Sequence, residues 1–255
     1  MLTICHLSVV PIRKEPSDKS EQVTQLLFGE LAEISEINGN WAKVSTLEEG
    51  YTGYVDPRQL TEISDEDALV IQATWNQVVS SQTAEIHFSS GKTMHLVCGS
   101  RIPESSSSGL TLFPHFEFKG NKVLPGRPVP DTIKSIAFGY LGAPYQWGGK
   151  SPFGIDCSGF TQMVFRINGI ALPRDAWQQA ETGVLLEKND EVRTGDLAFF
   201  KNSDGKIVHV GIVLQQGQII HASGEVRVDS LDQEGIFNNS TGKYSHRLDS
   251  LRRYF

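Results

Sequence analysis

Cysteine is scarce in this chain: Cys5, Cys98 and Cys157 are the only three among 255 residues, an odd set with no CxxC spacing. That argues against a disulfide framework and against a cysteine-built zinc site, and it fits a reducing, cytoplasmic compartment. Long apolar runs are missing too. No stretch reaches about eighteen apolar residues, so no membrane span is expected. The opening MLTICHLSVVPIRKEP has no basic residue before Arg13, and His6 and Ser8 interrupt its apolar run. It reads as a first β-strand rather than a signal peptide. Positive charge is in deficit, with 23 Lys and Arg against 30 Asp and Glu and a net charge of −7. Non-specific binding to nucleic acid or to an anionic membrane surface is therefore not expected, and charge favours a ligand with a positive group. What remains is ordinary for a globular protein: 39% hydrophobic and 21% charged, in a chain long enough for one large or two to three small domains.

Hydrophobic patterning divides the chain into three pieces. Residues 1–63 read as short strands; AEISEI and WAKVST flank Asn38-Gly39-Asn40, a hairpin signal, and GYTGYV precedes a tight turn at Asp56-Pro57. Residues 66–125 repeat the style with ALVIQATW, AEIHF and TMHLV, and Ser105 to Ser108 with Gly109 read as a flexible loop. Two small barrels are expected, each near the lower size limit for folding alone and so in need of a packing partner. Pro125, Pro128 and Pro130 mark a semi-rigid linker. Beyond it, over 126–255, the period turns helical. Ile133, Ile136, Ala137 and Tyr140 predict one helix, capped by Asp131 or Thr132. Cys157 to Ile167 predicts a second, and a third is expected from Asp175 to near Gly183. Strands DLAFF, KIVHVGIVL, QIIHAS and SLRRYF follow. Helices followed by an antiparallel meander indicate an α+β domain.

Cys157, His209 and His221 are the candidate chemistry. A thiol nucleophile reacts as thiolate, and a helix N-terminus or a neighbouring imidazolium lowers a thiol pKa. Cys157 stands at a helix start, and His209 lies mid-strand among valines, where its ring nitrogens need partners. His221, on the next strand, can hold the other nitrogen of His209 if both point to the same face. A two-residue loop between the strands would set His221 opposite Ile212, facing away. An odd loop of three or five residues, with Gly217 at positive φ, would bring the two together. His87 and His95 flank a hairpin with no third ligand nearby in sequence, so solvated histidines are expected there rather than a metal pair.

The words PYQWGGKSPFGIDCSGF, LPRDAWQQAETG, RTGDLAFF, KIVHVGIVL and QIIHAS, in this order across 130–255, resemble the NlpC family of papain-like cell-wall cysteine peptidases. The resemblance implies a papain-like α+β core with Cys157 as nucleophile, His209 as base, His221 as third polar residue and Tyr145 as the active-site tyrosine. VVPIRKEPSDKSEQVTQLLFGE and GYTGYV resemble the first bacterial SH3-like domain of γ-D-glutamyl-L-diamino acid endopeptidases. This narrower resemblance implies murein peptides with a free N-terminal L-Ala as substrate. It also implies an amine pocket drawing on Asp156, Ser158 and Asp175, with Glu15 and Tyr51 matching from the first domain. Carboxylates suit an ammonium ligand, because charge-assisted bonds discriminate against a blocked amine. Neither metal nor cofactor is called for. Two other readings stay open at this stage: an acyltransferase or amidase using the same Cys–His pair, and a wall-peptide binding protein with an inactive catalytic domain.

Overall fold

The computed structural model describes residues 1–103, 113, 115–187, 189–215 and 217–255. The expected loop at 105–109 lies outside the described residues. The chain divides into two compact units, Met1–Pro125 with Trp147–Pro152, and Gly126–Gln146 with Phe153–Phe255.

The first unit begins with a seven-stranded antiparallel sheet in the order Gln22–Leu27, Val9–Arg13, Thr52–Val55, Trp41–Thr46, Leu31–Asn38, Leu2–Cys5 and Leu60–Glu62. The hairpin expected at Asn38-Gly39-Asn40 pairs Asn38 with Trp41, and Gly39 takes φ +60, the left-handed turn conformation glycine adopts without strain. Alternate strand residues such as Val10, Ile12, Ala42, Val44 and Val55 fill one core. Two three-stranded sheets follow, one of Thr93–Val97, Thr83–Phe88 and Phe116–Lys119, the other of Arg101–Ile102, Gln77–Val79 and Lys122–Val123. These two segments share one hydrophobic cluster, in which Phe28 from the first meets Trp75 and Phe113 from the second with ring centroids 5.3–5.8 Å apart. Residues 147–152 belong to this unit through polar bonds, buried at Lys150 and exposed at Trp147. Lys150 Nζ donates to Glu30 at 3.0 Å and Glu49 at 3.4 Å, and Trp147 Nε1 donates to Glu21 at 2.7 Å.

One expectation is corrected here. ALVIQATW, read as a strand, lies in the helix Asp65–Thr74 and its C-cap, Trp75. Ser64 caps it by accepting from the Asp67 N–H, and Asp65, Glu66 and Asp67 sit in the first turn, where the helix dipole favours negative charge. Only Ala68 and Ile71 of the helix are buried, so its apolar run carries little periodicity to read.

The second unit opens with the helix Pro130–Gly139, whose N-cap is Val129 rather than Asp131 or Thr132. Pro130 at the first helical position supplies the required φ and loses no hydrogen bond there, which moves the start forward. The helix Cys157–Ile167 matches its expected span, buries every residue and packs against the strand Ile207–Leu214. The third helix is a single turn, Ala176–Gln179, much shorter than expected. Two strands of the meander escaped the sequence reading, Glu225–Leu231 and Gly235–Asn238. With Leu197–Lys201, Ile207–Leu214, Gln218–Ser223 and the long final strand Lys243–Arg253 they form a meander. Pairing of Gly235–Asn238 with Lys243–Arg253 closes these six strands into a barrel. The unit is thus an α+β domain whose sheet curls shut.

Candidate active site

Cys157 is the first residue of its helix, and Asp156 is the N-cap, its Oδ1 accepting from the Gly159 N–H at 2.7 Å. The pairing between Ile207–Leu214 and Gln218–Ser223 covers only Ile212–Leu214 against Gln218–Ile220. Upstream of Ile212 the ladder stops, and the backbone of Val210 hydrogen-bonds the Cys157 thiol instead. Cys157 is thereby fixed beside the strand that carries His209.

Three residues separate the two strands, and Gly217 has φ +69, the odd spacing that parity requires. The two histidines meet, His209 Nε2 lying 2.8 Å from His221 Nδ1. Gly211 makes room for this approach: a Cβ there would lie 2.8 Å from the His221 Cβ and 2.7 Å from the Ile219 Cδ1. Behind His221 stands Asp229, a residue the sequence reading missed. His221 Nε2 is 3.2 Å from Asp229 Oδ2, and the carboxylate also takes the Asn239 N–H at 3.0 Å and pairs with Arg227 at 2.8 Å.

These contacts set every proton. An ionised carboxylate only accepts, so His221 carries its proton on Nε2 and presents a lone pair at Nδ1. His209 therefore donates from Nε2, which leaves its Nδ1 as the basic nitrogen. Asp229, the fifth residue of the strand Glu225–Leu231 and hidden in weak alternation (VRVDSL), could have been found from sequence only as an acid in a strand needing a partner.

The electrostatics correct one expectation. The Cys157 thiol is pushed up to about 12, chiefly by burial and further by the Asp156 carboxylate, although backbone bonds from Val210 and Ser158 work the other way. Burial likewise drives His209 well below the usual imidazole range and His221 down to about 4, despite the pull of Asp229. Burial also raises Asp229, but the Asn239 N–H, Arg227 and His221 outweigh it and hold its carboxyl below the ordinary value. The helix start alone does not yield a thiolate. With the thiol pushed up and the imidazole pushed down, both Cys157 and His209 rest neutral. Burial raises the Tyr145 phenol, and the neighbouring Cys157 and Asp156 add to the shift, so it is a neutral donor beside both.

Asp156 and Ser158 are tied to a residue that the reading passed over, Arg174. Its guanidinium holds Asp156 bidentately at 3.0 and 2.7 Å and reaches Ser158 Oγ at 3.0 Å. The Arg174 side chain is only 1% exposed and that of Asp156 7%, so this pair is interior rather than a surface bridge. A charged residue inside LPRDAW, one place before a helix cap, was the available signal. Asp175 caps Ala176–Gln179 in a capping box, with the Gln178 side chain accepting from the Asp175 N–H at 3.1 Å. Glu15 and Tyr51 lie in the first unit. Glu15 is exposed in a turn where its N–H donates to Ser20 Oγ at 2.9 Å, and Tyr51 is half-buried, its N–H donating to Thr46 Oγ1 at 3.0 Å.

His246 is a third missed residue. Its ring stacks on His209 with centroids 4.0 Å apart and planes 20° apart. One donor atom from each of His209, His221 and His246 lies within 4.8 Å of the others, the spacing of a possible three-histidine metal site. The 2.8 Å bond between His209 and His221 already occupies two ring nitrogens, and in-plane lone pairs of nearly parallel stacked rings do not converge. The trio is arranged as a proton relay with a stacked neighbour. His87 and His95 both contact Glu85, at 2.8 and 3.5 Å. Among the described residues no helix is long and apolar enough to cross a membrane.

Residues 142–244 match the NlpC/P60 family, and residues 12–60 match the bacterial dipeptidyl-peptidase SH3 domain. The chain is 32% identical over 228 residues to the γ-D-glutamyl-L-lysine dipeptidyl-peptidase of Bacillus subtilis (strain 168), covering 78% of this chain and 71% of that one. It is 30% identical over 250 residues to dipeptidyl-peptidase 6 of Lysinibacillus sphaericus, covering 86% and 88% respectively. The crystal structure of an NlpC/P60 family protein from Bacillus cereus ATCC 10987 superposes with a TM-score of 0.83 at 23% identity, over 100% of this chain and 99% of that one. Sequence kinship along most of the chain, with Cys157, His209 and His221 all inside the matched residues 142–244, leads to one conclusion: this chain belongs to the NlpC/P60 family of cysteine peptidases.

Proposed function

We propose that the chain hydrolyses the γ-D-glutamyl–L-diamino acid bond of murein peptides whose N-terminal L-Ala is free, in turnover of peptidoglycan fragments. The observation that carries the reading is the proton order of Asp229, His221 and His209, which leaves His209 Nδ1 as the basic nitrogen on the strand whose Val210 backbone bonds the helix-start Cys157. Kinship with the two dipeptidyl-peptidases supports the choice of bond.

In this mechanism the Cys157 thiol gives its proton to His209 Nδ1 as the sulfur attacks the γ-carbonyl of D-Glu. The Cys157 backbone N–H, one of the unpaired donors of the helix start, holds the oxyanion, with Tyr145 as a neutral neighbour. His209 then protonates the departing amine, which leaves as the diamino acid. A water loses a proton to His209, attacks the thioester and frees the acid, restoring the thiol. Asp175, with Asp156 and Ser158, is proposed to bind the amine, and Glu15 and Tyr51 are carried as substrate-binding residues on the resemblance of the first domain alone. Because Arg174 already neutralises Asp156, Asp175 carries the larger share of ammonium recognition.

The test is cleavage of L-Ala-γ-D-Glu-L-Lys against the same peptide with its amine acetylated. The free peptide is expected to be cut about a hundredfold faster or more, since a blocked amine leaves charged acceptors unpaired. Cys157→Ala is expected to abolish turnover. Equal cleavage of the two peptides would remove the amine requirement.

A further inference from the structure

The second unit has a cleft of ≈ 1310 Å³ beside the relay, with Lys201, Val208, Glu234, Tyr244, His246 and Arg247 among its walls. Val208 precedes the catalytic His209 in the chain, and His246 is at once a wall of the cleft and the ring stacked on His209. His209 has to deliver its proton to the departing amine. The remainder of the departing residue therefore extends from His209, on the side away from the acyl group that Cys157 holds. The cleft adjoins His209 through His246, the wall residue whose ring stacks on it.

Its chemistry is mixed in a particular way. Lys201 is already paired with Asp249 at 3.0 Å. Arg247 and Glu234 are exposed and, among the described residues, neither makes a side-chain hydrogen bond or ion pair. One uncommitted cation and one uncommitted anion in a single cleft match a residue that bears both a carboxylate and a side-chain ammonium. Building on the function proposed above, we infer that this cleft is the subsite for the leaving diamino acid, Arg247 taking its carboxylate and Glu234 its side-chain ammonium. Arg247 and Glu234 are thus specificity residues on the leaving side, separate from the amine site on the acyl side.

Three peptides test the assignment: L-Ala-γ-D-Glu-L-Lys, its C-terminal amide, and the analogue with norleucine in place of lysine. Arg247→Gln is expected to lower kcat/KM for the free acid about tenfold, the loss of one charge-assisted contact at an exposed site, and to leave the amide unchanged. Glu234→Gln is expected to lower kcat/KM for the lysine peptide by a similar factor and to leave the norleucine analogue unchanged. The unaffected peptide in each pair shows that the variant is folded and active. Equal losses on both peptides of a pair, or none on either, would overturn the subsite while leaving the proposed reaction standing. Failure of the unmodified protein to cut any of the three would instead overturn the reaction, and the subsite with it.

Discussion

Asp229→Asn tests the proton order most directly. Both oxygens of this fully buried carboxylate face donors: Oδ1 takes the Asn239 N–H at 3.0 Å and Arg227 at 3.1 Å, while Oδ2 faces His221 Nε2 at 3.2 Å and Arg227 Nε at 2.8 Å. An amide in its place puts an NH₂ against donors whichever way it turns. Turned toward His221, it pulls the His221 lone pair to Nε2 and drives the proton to Nδ1. His209 would then have to accept at Nε2 and carry its own proton on Nδ1, the nitrogen proposed to take the thiol proton. Exchanging the triad aspartate for asparagine in serine peptidases costs about 10⁴-fold in kcat through the same tautomer fault. Asp229 acts one imidazole further away, and the amide has a second orientation that keeps the correct tautomer. We therefore expect a loss of about 10²-fold, or about 2.7 kcal/mol in the barrier, in kcat with KM little altered. The assay is release of free lysine from L-Ala-γ-D-Glu-L-Lys, paired with ¹⁵N NMR of the histidine tautomers. A fall of less than about threefold with the native tautomer pattern intact would refute the relay. A stability effect accompanies it. The folded carboxyl lies below its ordinary value, so its charge stabilises the fold above the unfolded carboxylate range and that contribution is lost as pH falls through the folded value.

The other predictions follow from burial and close approach. With Cys157 pushed up and His209 pushed down, iodoacetamide labelling of Cys157 at neutral pH is expected to be no faster than that of a free thiol and to rise with pH; fast, flat labelling between pH 5 and 8 would mean a preformed ion pair. His209 must be neutral to accept the proton, and burial, which lowers its pKa, keeps it neutral below the ordinary imidazole value. The acid limb of kcat/KM is therefore expected below the ordinary imidazole value of 6.5, and a limb at or above that value would contradict the burial argument. Arg174→Met strands the buried Asp156 charge, and urea denaturation is expected to show a loss of about 3–5 kcal/mol; a loss under about 1 kcal/mol would mean Asp156 is not dependent on this partner. Gly211→Ala forces apart the strands that bear the two histidines. A stability cost of about 1–3 kcal/mol with a larger fractional loss of activity is expected, and unchanged kinetics would show that the strand spacing is not critical.

The sequence spoke most clearly where one element's pattern settles its own geometry. The helix at Cys157 was legible because its apolar spacing and its cap, Asp156, are local. The parity of the loop after Leu214 was legible because strand faces alternate regardless of what surrounds them. Arg174, Asp229 and His246 were not, since each gains meaning only from a partner brought near by folding: Asp156 eighteen residues away, His221 eight residues away, and His209 across the closed barrel. The helix Asp65–Thr74 was misread for another reason, a mostly exposed apolar run with two buried residues. The direction of the Cys157 shift also escaped, because a helix start is visible in sequence and the depth of its burial is not.

The segment Trp147–Pro152 has a mechanical consequence. The chain passes between the two units three times, at residues 125–126, 146–147 and 152–153, so the first unit is topologically discontinuous and its last piece is encoded within the second. Cutting at the proline linker would therefore not yield a self-contained peptidase fragment: Lys150 would lose Glu30 and Glu49, and Trp147 would lose Glu21. The borrowed segment leads out of Tyr145 at one end and into Asp156 and Cys157 at the other. Unfolding of the first unit would slacken both tethers of the loop that carries Cys157 at once, so hydrolytic activity is expected to report on the integrity of the first unit.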